Sequence, residues 1–173
     1  MKLLVFAHRP PPVHGQSVMV QTLLDGLATD PKLQLLHVNP QLSRDHQDIG
    51  RWRPGKLVAL WRACREARRL RRSHGPAFLY YVPAPGKRSA LYRDFLVMLL
   101  CRPASSGVIL HWHAVGLGAW LNQHATMVER WLAQRLLGGA DLAIVLGESL
   151  RADAAVLRPR RTVVVRNGIK DPC

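Results

Sequence analysis

The fold is decided by residues 2–28, which read KLLVFAHRPPPVHGQSVMVQTLLDGLA. The opening KLLVF is the pattern of a short buried strand, and residues 17–28 repeat apolar side chains on one face of a helix. Three prolines stiffen the connection between them, and Gly15 lets backbone approach a bound group closely. Open α/β folds bind ligands beyond the carboxyl ends of their strands. We therefore expect this loop to contribute to a binding site.

The rest of the chain continues the same alternation of strand and helix. Apolar runs predict five further strands, at residues 33–38, 78–82, 108–113, 141–146 and 162–165. Helical patterns lie between them, at about residues 55–73, 89–101, 119–137 and 148–157. Nearly continuous apolar strands separated by helices are typical of a parallel sheet covered on both sides. The sequence predicts one α/β domain, a Rossmann-like parallel sheet with helices on both faces.

Composition narrows the class of protein. The chain has 173 residues, 48% of them hydrophobic, and 25 Lys and Arg against 11 Asp and Glu give a net charge of +14. This balance favours an acidic partner, either nucleic acid, an anionic membrane or a phosphorylated substrate. The G-x-G-x-x-G fingerprint is absent after the first strand, which disfavours a nicotinamide- or flavin-dependent oxidoreductase, and no P-loop is present. The three cysteines lack the C-x-x-C spacing of a zinc or redox site, so we expect free thiols without a functional role in the reducing cytoplasm.

Two histidines alternate along the fourth predicted strand. His111 and His113 point to one side of it, and Trp112 points to the other. A metal could bind such a pair, but no Cys or carboxylate nearby in sequence completes a site, and we predict none. For His111 we favour a hydrogen-bonded structural histidine. His113 lies at the carboxyl edge of the strand, before a glycine-rich loop, where a ligand would bind.

Residues 51–73 form the most basic segment, with nine Lys and Arg against one Glu. On a helix, one face is expected to pack on the core, and its members are Leu57, Leu60, Trp61, Cys64 and Ala67. A basic stripe runs beside that face, formed by Arg62, Arg65, Arg69 and Arg72. The stripe is either a solvated surface or a contact with an anionic membrane, for which Trp52 and Trp61 would suit the headgroup layer. Nucleic acid is the less favoured partner, because the aromatic residues do not form a stacking platform.

Three basic residues, Lys87, Arg88 and Arg93, follow the third predicted strand. They could hold the phosphate or diphosphate of an acceptor at the ligand edge of the sheet. They could equally be surface charges at the start of a helix.

Two segments near the end of the chain resemble glycosyltransferase family 4. Residues 140–157, ADLAIVLGESLRADAAVL, and residues 162–171, TVVVRNGIKD, are similar to the end of that family's N-terminal domain. There a strand, a Ser-Glu pair or its reverse, a short helix and a second strand lead to a Val-x-Asn-Gly-Ile-Asp hinge. The pair matches Glu148-Ser149 here. Lys170 and Asp171 stand here where one Asp is usual. ILHWHAVG resembles the family's fourth strand, and the first loop resembles its glycine-rich turn with Gly15 alone of the usual pair.

The resemblance implies one half of the GT-B architecture, with residues 1–165 as the acceptor-side domain and residues 166–173 as the interdomain hinge. The full reaction would transfer a sugar, with retention of configuration, from a nucleotide-sugar to a glycan or lipid-linked acceptor. No cofactor is implied, since the nucleotide-sugar is a substrate. The implied roles fall on His113 at the reacting centre, on Gly15, Gln16 and Ser17 facing the donor phosphates, and on Asn167 and Gly168 in the hinge.

In the resembled family a second domain binds the nucleotide-sugar, and only six residues follow Asn167 here. We expect that donor-binding domain to be a missing partner, from the same gene or a separate subunit, and the chain to have little or no transferase activity alone. A truncated gene, a fragment and a natural subunit are the three explanations, of which truncation is favoured. The expected location is the cytoplasm, with peripheral attachment to the inner face of the cell membrane. The alternative function is a non-catalytic basic module that binds anionic membrane or nucleic acid.

Overall fold

A computed structural model describes residues 1–13, 15–40 and 54–167 of the chain. The strands are β1 Lys2–Phe6, β2 Gln34–Val38, β3 Phe78–Tyr81, β4 Gly107–Trp112, β5 Leu142–Val145 and β6 Thr162–Val164. The helices are α1 Gly15–Leu27, α2 Pro54–His74, α3 Arg88–Cys101, α4 Leu117–Gln123, α5 Met127–Leu136 and α6 Arg151–Ala155, with short 3-10 turns at Arg102–Ala104 and Glu148–Leu150. The strands form a six-stranded sheet in the order β2-β1-β3-β4-β5-β6. The predicted α/β fold with a parallel sheet is confirmed.

The chain divides into two compact units. Unit 1 comprises residues 1–82 and 96–108, and within it β1 pairs in parallel with both β2 and β3. Leu4 lies opposite Leu36 on one side and Leu79 on the other, and it is fully buried. The consecutive residues Leu3 to Phe6 are all buried, so neither face of β1 is solvated, which explains why KLLVF does not alternate with polar residues.

The helix α2 contacts β1 and β2 in unit 1, but its buried face differs from the predicted one. The apolar side chains that it buries are Leu60, Ala63, Cys64 and Ala67. The prediction that Leu57 and Trp61 belong to the core was wrong, since they are 50% and 49% exposed. The buried stripe is rotated towards Ala63 by roughly half of the 100° step between successive helical residues. Apolar spacing alone left this rotation undecided because both edges of the stripe carry apolar side chains.

Unit 2 comprises residues 83–95 and the chain from Ile109 onward. Within it β5 pairs in parallel with β4 and β6, so that Ala143 lies between Leu110 and Thr162. Leu110 and Ala143 are fully buried. His111 is therefore carried by a strand that packs within the core of this unit, and His113 follows directly after that strand.

The single helix predicted over residues 119–137 is two helices, and that prediction was wrong. α4 ends at Gln123 and α5 begins at Met127, after Thr126 as its N-cap. The Thr126 hydroxyl accepts a hydrogen bond from the Glu129 N–H at 3.2 Å, and the Glu129 carboxylate accepts one from the Thr126 N–H at 2.8 Å. This reciprocal capping box satisfies N–H groups that a new helix leaves without partners, and it starts a second helix there.

None of the helices within the described ranges has the length and hydropathy that crossing a membrane requires.

Candidate functional site

The first loop belongs to unit 1 and leads into α1. Gly15 is the first residue of the helix and is exposed, and a Cβ placed on it would meet nothing within 4 Å. Ser17 is fully buried, and its hydroxyl donates to the Pro12 carbonyl at 3.0 Å. The Ser17 side chain therefore braces the loop, while the start of the helix at Gly15 and Gln16 borders solvent.

His113 immediately follows β4 in unit 2. Its ring centroid lies 4.1 Å from that of His111, and its Nε2 is buried without a hydrogen-bond partner among the residues that the structure describes. Burial lowers the pKa of His113. Burial, and then the neighbouring imidazole of His113, lower the pKa of His111 to about 3. Both rings are therefore neutral near neutral pH, when an imidazole can donate from one nitrogen and accept at the other.

In the described part of the chain, no three His, Cys, Asp or Glu side chains come together as metal ligands would. The pair of histidines therefore has no third protein ligand within those residues.

Arg88, one of the three predicted acceptor cations, forms an ion pair with a buried carboxylate. Its Nε donates to Oε1 of Glu129 at 2.8 Å, and its guanidinium lies 5.7 Å from the ring centroid of Trp120. The Glu129 side chain is 5% exposed, whereas that of Arg88 is 53% exposed. The inner side of the guanidinium thus fixes α3 to α5, and its outer side borders solvent.

Arg93 is paired with its neighbour in sequence. Its Nη2 donates to Oδ1 of Asp94 at 2.9 Å, and Asp94 is fully buried. The other carboxylate oxygen of Asp94 accepts from the Ala84 N–H at 2.8 Å, which ties α3 to the loop after β3. Lys87 is exposed at the end of that loop. The predicted cations therefore lie close in sequence, Lys87 at the end of the loop after β3 and the other two in the first two turns of α3, where their ion pairs also hold the helix in place.

The loop after β3 makes a close backbone contact that the sequence analysis missed. A Cβ on Gly86 would lie 2.3 Å from the Trp120 Cβ and 2.6 Å from the Gly116 carbonyl oxygen. Only a residue without a side chain fits there, so the loop carrying Lys87 packs directly against the segment that follows His113. Nothing in the sequence pattern distinguishes Gly86 from an ordinary turn glycine.

Glu129 is a second residue that the sequence analysis missed. Besides Arg88 and Thr126, it accepts a hydrogen bond from the Tyr92 hydroxyl at 2.8 Å. Hydrogen bonds, above all from the Thr126 backbone and then from Tyr92, lower the pKa of Glu129 to about 2. The sequence signal was the spacing Thr-x-x-Glu at residues 126–129, which is typical of a capping box.

The outer face of α2 combines exposed cations with exposed apolar side chains. Arg62, Arg65, Arg69 and Arg72 are all exposed. Leu57, Val58 and Trp61 are about half exposed at the start of the helix, and the Arg65 guanidinium lies 4.7 Å from the Trp61 ring centroid. Trp52 lies outside the described residues.

Of the two predicted hinge residues, Asn167 is exposed and follows β6, and Gly168 lies outside the described residues. The first loop and α2 belong to unit 1, whereas His113, the three cations and Asn167 belong to unit 2.

Comparisons of the chain with family models, curated proteins and solved structures found no match.

Proposed function

We propose that the chain is the acceptor-side domain of a retaining GT-B glycosyltransferase similar to family 4. Support comes from the parallel α/β fold and from the family-like segments around β4 and β6. The observation that carries most weight is His113, which follows the carboxyl end of β4 with a neutral ring and a buried Nε2 that has no partner in the described residues. A buried polar atom without a partner costs about 1–3 kcal/mol. Such atoms call for an explanation, and a catalytic role is one.

In this proposal His113 forms a hydrogen bond to the sugar or to the attacking acceptor hydroxyl. A neutral imidazole can support the developing charge of the transition state and can orient the acceptor oxygen. A ligand hydroxyl at Nε2 would supply the missing hydrogen bond. His111 would act as a positioning residue, since its ring lies 4.1 Å from that of His113 and holds it against the core.

The acceptor is assigned to the end of the loop after β3 and the start of α3, where Lys87 and Arg88 lie. Lys87 and the solvent-facing side of Arg88 supply positive charge there, and the ion pairs of Arg88 and Arg93 keep the loop rigid. A rigid loop loses little conformational entropy when its ligand binds. A phosphate or diphosphate on a lipid-linked acceptor fits this chemistry.

The donor phosphates are assigned to the backbone of Gly15 and Gln16, at the start of the 13-residue helix α1. Helix N-termini favour anions because their N–H groups lack partners within the helix. Ser17 would support this loop from within through its bond to Pro12. Asn167 would belong to the hinge towards a donor-binding domain, and that domain would be the functional partner.

The test is a transfer assay in which the chain works together with a donor-binding domain from the same or a neighbouring gene. A panel of radiolabelled nucleotide-sugars is supplied with soluble glycans and with short-chain lipid diphosphate acceptors. The proposal expects transfer from one nucleotide-sugar with the anomeric configuration retained. Binding of a nicotinamide cofactor, with no transfer from any donor of the panel, would contradict it.

A second candidate is a basic module that attaches to anionic membranes, and the outer face of α2 favours it. Exposed Trp61 beside Arg62 and Arg65 is the composition of an interfacial helix, in which apolar side chains enter the headgroup layer and each nearby cation contributes about 1 kcal/mol. Vesicles with and without phosphatidylserine are compared with a single-stranded oligonucleotide at two salt concentrations. Attachment to anionic vesicles that Trp61→Ala weakens would support this candidate, and selective binding of the oligonucleotide would contradict it.

A further inference from the structure

The end of α2 and the turn after α3 line a depression of about 230 Å³ in unit 1. Its lining is Arg68, Arg71, Arg72, Pro76 and Ala104. The three arginines are spaced i, i+3 and i+4, so their side chains lie on adjacent turns of one helix face. The depression therefore concentrates three permanent positive charges in a small volume.

Arg71 is the unusual member of this cluster, because it is only 5% exposed. Its Nη1 donates to the Cys101 carbonyl at the end of α3. Its Nε is buried and has no hydrogen-bond partner among the described residues. Burial lowers the pKa of Arg71, and the charge of Arg68 adds to that effect, although the nearby Cys101 opposes it. A guanidinium stays protonated in proteins, so Arg71 is a buried cation whose Nε–H donor has no partner among the described residues.

No carboxylate of the described residues forms an ion pair with Arg68, Arg71 or Arg72. Basic residues in the last turn of a helix do interact favourably with its dipole, and the bond from Arg71 to Cys101 satisfies a terminal carbonyl. Those roles account for one nitrogen of Arg71 and for its position on the helix. They do not account for the buried Nε or for two further arginines around the same depression.

We propose that Arg68, Arg71 and Arg72 form an anion site that binds a phosphate group, carried either by a small soluble phosphate or by a lipid headgroup. The guanidinium fork matches phosphate oxygens in pairs, and such charge-assisted hydrogen bonds are roughly twice as strong as neutral ones. The volume suits a phosphate or diphosphate group with a few waters, since one water occupies about 30 Å³ in the liquid. An anion here compensates the buried charge and gives Nε its partner.

This inference does not rest on sugar transfer. The depression lies within unit 1, beside the turn that leads from α2 into β3, whereas His113 belongs to unit 2. Loss of the anion site would leave the proposed chemistry at His113 in place, so the two proposals fail separately.

The experiment titrates the whole chain with inorganic pyrophosphate and measures binding by calorimetry. Arg68→Met and Arg71→Met keep the aliphatic length of the side chain and remove the charge. Arg130→Met is the matched control, because it removes the same charge from an exposed position of α5 that does not line the depression. We expect saturable binding that weakens by about tenfold or more in each test variant and by less than about twofold in the control.

Arg68 is exposed, so Arg68→Met keeps the test valid if Arg71→Met fails to fold. A second arm uses phosphatidylcholine vesicles with and without phosphatidic acid. Binding to phosphatidic acid that pyrophosphate displaces identifies the lipid headgroup as the source of the phosphate, and binding of pyrophosphate alone identifies a soluble one. Absence of saturable binding in both arms, or an equal loss in Arg130→Met, would overturn the proposal.

Discussion

Gly86→Ala is the substitution for which the structure gives the sharpest energetic expectation. The added methyl would lie 2.3 Å from the Trp120 Cβ and 2.6 Å from the Gly116 carbonyl oxygen. Carbon atoms in ordinary contact are about 3.5–4.0 Å apart, so one segment must move by more than about 1 Å. Neither obstacle is the flexible end of a side chain, because one is backbone and the other is a Cβ. Overpacking of this kind typically costs about 1–3 kcal/mol.

The assay is urea unfolding monitored by tryptophan fluorescence. The free energies of unfolding of the wild type and Gly86→Ala are compared with one shared m-value. Gly26→Ala is the matched control, since Gly26 lies within α1 and a Cβ there meets nothing within 4 Å. The control should gain about 0.5–1 kcal/mol, because Ala loses less entropy than Gly on entering a helix. The same methyl is thus expected to change stability in opposite directions at the two sites. A Gly86→Ala protein as stable as the wild type would refute the close approach of the two loops.

Three further predictions concern ionisable groups. The pKa of His111 is lowered to about 3 in the folded protein, whereas in the unfolded chain it is about 6.5. Between these values acidification protonates the unfolded chain first, so the free energy of unfolding should fall by about 1.4 kcal/mol per pH unit below about pH 6.5. Urea midpoints should therefore fall as the pH drops below that value, and a flat profile would contradict this. The hydrogen bonds that lower the pKa of Glu129 stabilise the fold above the ordinary carboxyl range, and this contribution is lost as the pH falls towards about 2. Glu129→Gln should therefore lower the melting temperature near neutral pH, and an unchanged melting temperature would count against the ion pair. Cys64 and Cys101 are buried, and peptide mapping after iodoacetamide treatment should find them modified only in urea; labelling of the native protein would show that the space between α2 and α3 opens.

Much of the fold could be predicted because its central strands β1 and β3 are buried along most of their length. The apolar runs at KLLVF and FLYYV have no polar alternation to confuse with a surface strand, and the parallel sheet followed from their alternation with helices. The sequence also contains a signal for the end of one helix at Gln123 and the start of the next, namely the capping box of Thr126 and Glu129. The apolar periodicity, however, continues through these residues without interruption. A local capping signal therefore decided what periodicity could not.

The candidate site was only partly predictable. The position of His113 at the carboxyl end of β4 could be predicted, because the apolar run of that strand shows where the strand ends. The ion pair of Arg88 joins residues 41 positions apart, and such a distance leaves no pattern in a single sequence. The burial of Arg71 was equally hidden, since its position at the apolar edge of α2 is compatible with either a solvated or a buried charge.

The central claim is that His113 takes part in sugar transfer, and turnover of His113→Ala with the donor-binding domain present tests it most directly. His124→Ala serves as the control, because His124 is an exposed histidine of the same unit. We expect kcat to fall by about 10²-fold or more in His113→Ala, the typical effect of removing one group that stabilises a transition state, and His124→Ala to keep the wild-type rate. Wild-type turnover in a folded His113→Ala protein would contradict it.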